Sequence, residues 1–522
     1  APENRPHPCH KTLSRDQNNL LWGGRFFFSF LLGASAPCFH SACRAMWCVR
    51  NMNESFKPAR GCVAWCLYII ALCLWFIPPR ILAHLGFQTN DYDFGIYVNL
   101  VDNLAAGHGF HSSVLGLNHL GEHFSPIVAI FIPAAWCGVT PWALLIAQGL
   151  CAVITIALLT MYAQVELAAL PERSRRVGLC VLIGLFLFYR PFIAAWDFQF
   201  QPMVLGMPLV AAALVAMQRN RWRWLWILVP LLLMTRESAG LSLLGLAIVA
   251  GLRYRRPRMA LTLVVAGIVV PLVVIGWVMP HFRVGEWVGH AERVGPLVDL
   301  PGKGLYLARL LGPLGLFPLG GWVEALAALP GMLLNMAVGF GKQYSADKHY
   351  DAQLAVFLMA AAVQGFQGLE KKRADFPRVG KIALAAALAV ALLSQIQWQS
   401  SHPIRRYIKY WPTSENAAIR RALVPLAQLP ESYTLSADPA LGPHVCERLG
   451  YRTLFGGLDA AQLVPGQLIV VRRDDTGVAR LLAAGKVSMV AQTSELWLVA
   501  ETNLTDAVSL REVLTRDGWS NP

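Results

Sequence analysis

The chain has 522 residues, of which 55% are hydrophobic and only 15% charged, with a formal net charge of +14. A soluble globular protein carries about a quarter charged residues, so this composition, with a mean hydropathy of +0.46, excludes an ordinary water-soluble fold and points to a polytopic membrane protein. The positive charge does not indicate a nucleic-acid partner: Lys and Arg gather between apolar runs, in "PERSRR" (171–176), "QRNRWRW" (218–224), "RYRRPR" (253–258) and "EKKR" (370–373), as they do in short cytoplasmic loops.

In chain order, residues 1–51 come first. "RFFFSFLLGASA" (25–36) has the form of a short signal peptide, but Pro37 spoils a cleavage site after Ala36. Met52 opens a polar, basic lead into the first long apolar run. Residues 1–51 therefore read as an extension outside the fold. Of the 11 cysteines, Cys62, Cys66, Cys73, Cys151 and Cys180 lie in or beside apolar helices, and no disulfide framework is visible. Cys38, Cys43 and Cys48 match no common zinc spacing.

A span takes about 20 apolar residues. Helices are expected near 62–84, 142–164, 176–193, 202–217, 222–235, 238–252, 259–280, 305–319, 322–340, 351–368 and 380–396, about 11 transmembrane helices in a domain covering 52–397. The apolar stretch 124–139 is placed by charge. If it crossed, three basic loops would lie outside; lying on the surface, it leaves all of them inside. The expected topology has the N-terminus in the cytoplasm and a large outer loop over 86–141. The glycine-rich "LGPLGLFPLGGW" (311–322) lacks the Lys and Ser/Thr of a phosphate loop and reads as helix breaks. After Gln397 the composition changes. Strands are expected in 432–439, 467–475, 487–492 and 495–500, with an amphipathic helix over 416–429, so that 398–522 reads as a small soluble α/β domain outside the membrane.

That topology sends five polar motifs to the outer face: "NDYDFG" (90–95), "LNHLGEHFSP" (117–126), "WDFQFQP" (196–202), "TRES" (235–238) and "YSADKHYD" (344–351). Their convergence is the main functional signal. After Asp93, Tyr97, Leu100, Val101 and Leu104 mark one helix face and Asn99, Asp102 and Asn103 the other, with Gly107 closing it. This reads as an interfacial amphipathic helix. Asp93 is either its N-cap or a site acid. Asp91, two residues earlier, faces the same way if the lead-in is extended. "HLGEHF" offers His119, Glu122 and His123 to a metal or a phosphate; a solvated loop is the alternative. Asp197 and Gln201 are ordinary turn residues or part of the site. Arg236 and Glu237 sit between two close apolar helices, where an unpaired charge costs about 2.5–3.5 kcal/mol, so each calls for a partner. Lys348, His349, Tyr350 and Asp351 complete the set, or decorate a loop.

The order and spacing of these motifs, "NDYDFGIY…NLAAGHGFHSS…LNHLGEHFSPI", "WDFQFQP", "TRESAGL" and "DKHYDAQLAVF", resemble a bacterial family of predicted membrane proteins, domain of unknown function twenty seventy-nine, from about Phe87 into the C-terminal part. That family is similar to the GT-C glycosyltransferases, which use polyprenyl-phosphate sugars. This chain has Phe200-Gln201-Pro202 where the family usually has Phe-His-Pro, and Glu237-Ser238 where it often has Glu-Asp. The resemblance implies a bacterial cytoplasmic-membrane enzyme of the cell envelope that moves a sugar from a polyprenyl-phosphate donor to an acceptor on the outer face. It places the catalytic acid at Asp93, with Asp91 beside it. Arg236, Lys348, His349, His123, Tyr350, Gln201, Glu122 and Glu237 are then candidates for the donor's phosphate. A divalent metal, Mg or Mn, held by Asp91 or Glu122 is an alternative stabiliser. Membrane lipid is the implied partner. The rival classes are a lipid or solute transporter without chemistry, which tends to place charge at the bilayer midplane, and a non-catalytic scaffold, for which Asp93 is dispensable.

Overall fold

The computed structural model describes residues 58–283, 295, 298–398, 403–454, 463–464, 466–501, 507–516 and 518–520. The expected extension 1–51 and its three cysteines lie outside the described residues. The chain divides into two compact units, Ala1–Ile70 and Ala71–Pro522. The described part of the first is the opening of helix Pro58–Phe76, in which Trp65 and Tyr68 meet edge to face at 5.5 Å and Val63, Leu67 and Ile70 are exposed.

Five described helices are long and apolar enough to cross a membrane: Cys62–Leu85, Thr140–Ala169, Pro257–Phe282, His349–Asp375 and Pro377–Gln397. Glu172–Leu187 and Arg190–Asp197, bent by 46°, make a sixth if taken as one span. Apolar helices Pro202–Gln218, Trp222–Leu233 and Trp322–Ala337 fall where spans were expected but are shorter, as is Pro126–Trp136, the stretch assigned to the surface. The expected span 305–319 does not form one helix. Helix Leu300–Leu311 stops, and two 3-10 turns follow, Gly312–Leu314 and Phe317–Leu319. Pro313 and Pro318 each lack the N–H a continuing helix needs, and Gly315 (φ 64°) and Leu316 (φ 59°) turn left-handed. Leu261, Val265 and Leu272 on one long helix, and Ile382, Leu392 and Ile396 on another, are exposed, an apolar surface suited to hydrocarbon.

Charge inside the helical part is paired. Helix Thr140–Glu166 begins beside the first polar loop, where the Thr140 hydroxyl donates to Asp102 at 3.0 Å. At its other end, Arg253 bridges Glu166 (2.7 Å) and Glu324 (3.3 Å), while Tyr162 donates to Glu324 at 3.1 Å and accepts from Gln364 at 2.9 Å. Three helical segments are thereby joined through one guanidinium, and Tyr162 ties in a fourth.

The C-terminal part carries a sheet. Following the short hairpin β1 (His111–Ser112) and β2 (Leu117–Asn118), strands β3 (Leu435–Ala437), β4 (Tyr451–Thr453), β5 (Leu468–Arg472), β6 (Val487–Gln492) and β7 (Leu496–Glu501) run in the order β4-β3-β5-β7-β6. β3 pairs parallel to both β4 and β5; β7 is antiparallel to β5 and β6. Ile469, Val471, Val478, Val487 and Val499 form its buried cluster. Helix Ser414–Ala427 starts with a capping box in which Thr413 and Asn416 satisfy each other's backbone N–H. This part does not stand apart from the helices: Arg406 pairs with Asp197, which also accepts from Arg80 at 3.2 Å.

Arg253→Ala leaves Glu324, only 1% exposed, without its cation. Breaking such a pair from one side costs about 3 kcal/mol. The expected outcome is a clearly lower midpoint of thermal unfolding in detergent, with Glu324→Gln in the same background recovering most of the loss.

Candidate active site

The acid loop is built by caps that the acids themselves do not supply. Asn90, extended at φ −128°, ψ 161°, is the N-cap, and its Oδ1 accepts from the Asp93 N–H at 2.8 Å. Asp91–Gly95 then makes a π-helical turn, with the Phe94 and Gly95 N–H groups both reaching the Asn90 carbonyl at 3.1 Å, before helix Ile96–Ala105. Gln199 Oε1 accepts from the Asn90 N–H at 2.9 Å and the Phe94 N–H at 3.1 Å. The capping role open to Asp93 is thus taken by Asn90, whose short amide suits an extended cap position. The Asp93 carboxylate stays half-buried, with Asn90 Nδ2 3.4 Å from its Oδ2. Burial raises its proton affinity above the usual carboxylate value, and the Asn90 contact and the charges of Lys348 and Lys342 draw it part of the way back.

Asp91 does something else. It is wholly buried; its N–H donates to the Pro439 carbonyl at 2.9 Å, and its Oδ2 accepts from the Tyr451 hydroxyl at 2.6 Å. A side chain at Gly442 would strike Asp91 Cβ and the Tyr451 hydroxyl at 2.5 Å, so glycine is required there. The lead-in is a helical turn rather than a strand, so the two acids diverge and Asp91 does not share a site with Asp93. Burial pushes the Asp91 carboxyl up to about 6, against the pull of the Tyr451 hydrogen bond. The helix that follows is not interfacial in the expected sense, because its polar face is covered. Asn99 is fully buried and donates to the carbonyls of Cys446 and Arg448, both at 2.8 Å, while its Oδ1 accepts from the Ser113 N–H at 2.7 Å. Gly107 does close the helix, at φ 88°.

The other motifs meet this loop. The Tyr97 hydroxyl donates to Gln201 at 3.1 Å, and its ring stands edge-on to His119 at 5.3 Å. His119 and His123 lie 6.0 Å apart, one helical turn along the same loop. His123 Nδ1 is 3.1 Å from Glu237, and Arg236 Nη2 is 3.0 Å from His123 Nε2. Glu237 also accepts from the Phe124 N–H at 3.0 Å. Burial works to raise the Glu237 carboxyl, but His123 and Arg236 outweigh it and hold the group well below the usual carboxylate range. Lys348 Nζ sits 5.0 Å over the Phe198 ring, which lies 4.5 Å from His349; the Tyr350 ring is 4.4 Å from His349 on the other side. Arg236 Nη1 reaches Met203 Sδ at 3.7 Å. All five motifs are therefore linked into one polar cluster.

Three partners had no signal in a single sequence. Gln199 was one unremarkable polar residue, Tyr451 lies 360 positions from Asp91, and Lys342 lies outside the quoted motifs. Asp197 reads as a turn residue but is the counter-ion of Arg80 and Arg406.

The metal expectation does not fit these residues. Asp91 is held by Tyr451, and among the described residues no group of three His, Cys, Asp or Glu is placed to hold an ion. The cluster's donors are instead N–H groups and cations, a set suited to an oxyanion.

The fold and the cluster together define a polytopic membrane protein with a polar site built from loops and helix ends. The chain belongs to the family of predicted membrane proteins DUF2079, whose model matches residues 83–453. No curated protein matches it. Among solved structures it is similar to the crystal structure of ArnT from Cupriavidus metallidurans in the apo state, at 15% identity and a TM-score of 0.49, covering 88% of this chain and 100% of that one.

Because the buried Asp91 has its pKa raised from 3.8 to about 6, its favourable, protonated contribution is complete below about 4 and is lost as pH rises through about 6. Asp91→Asn stays neutral throughout. The stability of that variant relative to the native chain should rise between pH 4 and about 7, measured by thermal unfolding of both proteins across that range.

Proposed function

We propose that this protein is a membrane glycosyltransferase of the GT-C kind, moving a sugar from a polyprenyl-phosphate donor to an acceptor hydroxyl at the outer face of the bacterial cytoplasmic membrane. The observation that carries the reading is Asp93: a half-buried carboxylate with raised proton affinity, freed from capping by Asn90, and set within reach of the charges of Lys348 and Lys342. In the reaction the acceptor oxygen bonds to the sugar's anomeric carbon as the bond from that carbon to the phosphate oxygen breaks. The electron pair leaves on the phosphate, and the acceptor's proton passes to Asp93. The leaving phosphate gains charge, which Lys348, Lys342, Arg236, His123 and His349 are suited to stabilise. Tyr350 packs on His349 and Gln201 accepts from Tyr97, and Glu237 holds Arg236 and His123 in place. Asp91 is a positioning residue in this scheme.

Two features favour chemistry over transport. Arg253 is tied to Glu166 and Glu324, and Arg80 and Arg406 to Asp197, at helix ends, and the cluster joins a carboxylate to an oxyanion-binding set. A lipid carrier accounts for the site's place, because the phosphate of such a donor sits at the bilayer edge.

Asp93→Asn should lower sugar transfer by about a hundredfold or more, with thermal stability unchanged. Asn90→Ala removes the cap and should cost about 1 kcal/mol of stability and reduce transfer only in part. Both are read by transfer of radiolabelled sugar from polyprenyl-phosphate donors to membrane acceptors, beside thermal unfolding. A folded Asp93→Asn protein with near-native transfer would sink the assignment.

A further inference from the structure

Two buried imidazoles carry unpaired ring nitrogens among the described residues. His119 is 2% exposed, and neither its Nδ1 nor its Nε2 has a partner among the described residues. His349 is 6% exposed, and its Nδ1 is likewise unpaired among them. A buried polar group left unsatisfied costs about 1–3 kcal/mol, and such groups call for an explanation by a water, an ion or a ligand. His119 lies inside the cluster: its ring is 6.0 Å from His123, which Arg236 touches at 3.0 Å, and 5.3 Å from the Tyr97 ring.

The chemistry of the missing partner follows from the donors. Burial first, then the nearby His123 and Arg236, lowers the His119 pKa to about 3, so the ring is neutral and carries one N–H. A neutral N–H beside a guanidinium suits an anionic oxygen: it donates without adding charge that Glu237 must balance. A cation is disfavoured by Arg236, and an apolar ligand leaves the nitrogens unpaired.

We propose that His119 donates an N–H to the phosphoryl oxygens of the donor's leaving group, held beside Arg236 and His123. This deepens the glycosyltransferase reading and rests on it for the identity of the ligand. His119 is then a binding residue of the leaving-group side, opposite in task to Asp93.

The test uses the full-length protein purified in detergent, with inorganic phosphate and geranyl phosphate as separate probes in isothermal titration calorimetry. Geranyl phosphate should bind, and its binding should shift the ¹⁵N signals of His119. His119→Phe should weaken it by about tenfold or more, as expected for loss of a hydrogen bond to a charged group, without lowering the thermal midpoint, since it removes an unpaired polar group. His119→Gln, which keeps an N–H donor, should bind within about threefold of native. Native-like binding by a folded His119→Phe protein, or no binding of either probe by the native one, overturns the proposal; a water alone then fills the gap. Binding of inorganic phosphate with no gain from the prenyl chain overturns the lipid source. His119-dependent binding in a protein whose Asp93→Asn variant transfers sugar normally would leave this site standing and remove the catalytic assignment instead.

Discussion

The hydrogen bond from Tyr451 to Asp91 is the constraint on which the site depends. It spans 360 residues and joins β4 to the turn that carries Asp93. A carboxylate with no exposure needs a strong donor or a proton, and this one has the Tyr451 hydroxyl at 2.6 Å with its carboxyl pushed up to about 6. Around it, the Asp91 N–H meets Pro439 and Asn99 meets Cys446 and Arg448. The C-terminal part thereby sets the pitch of the acid loop. One acid and one cap residue, Asp91 and Asn90, are thus committed to structure, while the Asp93 carboxylate stays half-buried with Asn90 Nδ2 at 3.4 Å.

The same division of labour governs the cations. Arg80 and Arg406 share Asp197, and Arg253 shares Glu166 and Glu324. Arg80 and Glu324 are buried, an isolated buried charge is costly, and each of these guanidinium groups has its carboxylate. Arg236 is intermediate: Glu237 is 3.4 Å from its Nε, yet Nη2 faces the His123 ring. Lys348 rests on an aromatic face, and a cation so placed keeps its charge available to an incoming anion. The cluster thus grades from neutralised charge at the helix ends to available charge near Asp93.

Several expectations were drawn too simply. Asn99 and Asn103 read as the wet face of a surface helix because polar residues at helical spacing usually are. Here the face is buried against main-chain carbonyls at Cys446, Arg448 and His111. Asp91 read as a partner of Asp93 on an extended lead-in, but the backbone turns into a π-helix and the two part. Leu305–Leu319 read as one apolar span, but Pro313 and Pro318 interrupt it. In the last two cases the local backbone departs from what composition suggests; in the first the helix forms as expected and tertiary packing covers its polar face.

What the sequence by itself determined is the class and the raw material of the site. Apolar runs separated by basic loops dictate a helical membrane chain, because hydrocarbon admits few charges and no unpaired backbone. Five short motifs with acids, His, Gln, Lys and Arg stand out because nothing apolar explains them; among them His123, Glu237 and Arg236 meet, Gln201 meets Tyr97, and Lys348 and His349 meet Phe198. Only the tertiary structure decided which acid is spent and which is spared, since that turns on Asn90, Gln199 and Tyr451. Hydrogen bonds between residues 109 and 360 positions apart leave no periodicity or spacing in one sequence; they exist only once packing has brought the groups within about 3 Å of each other.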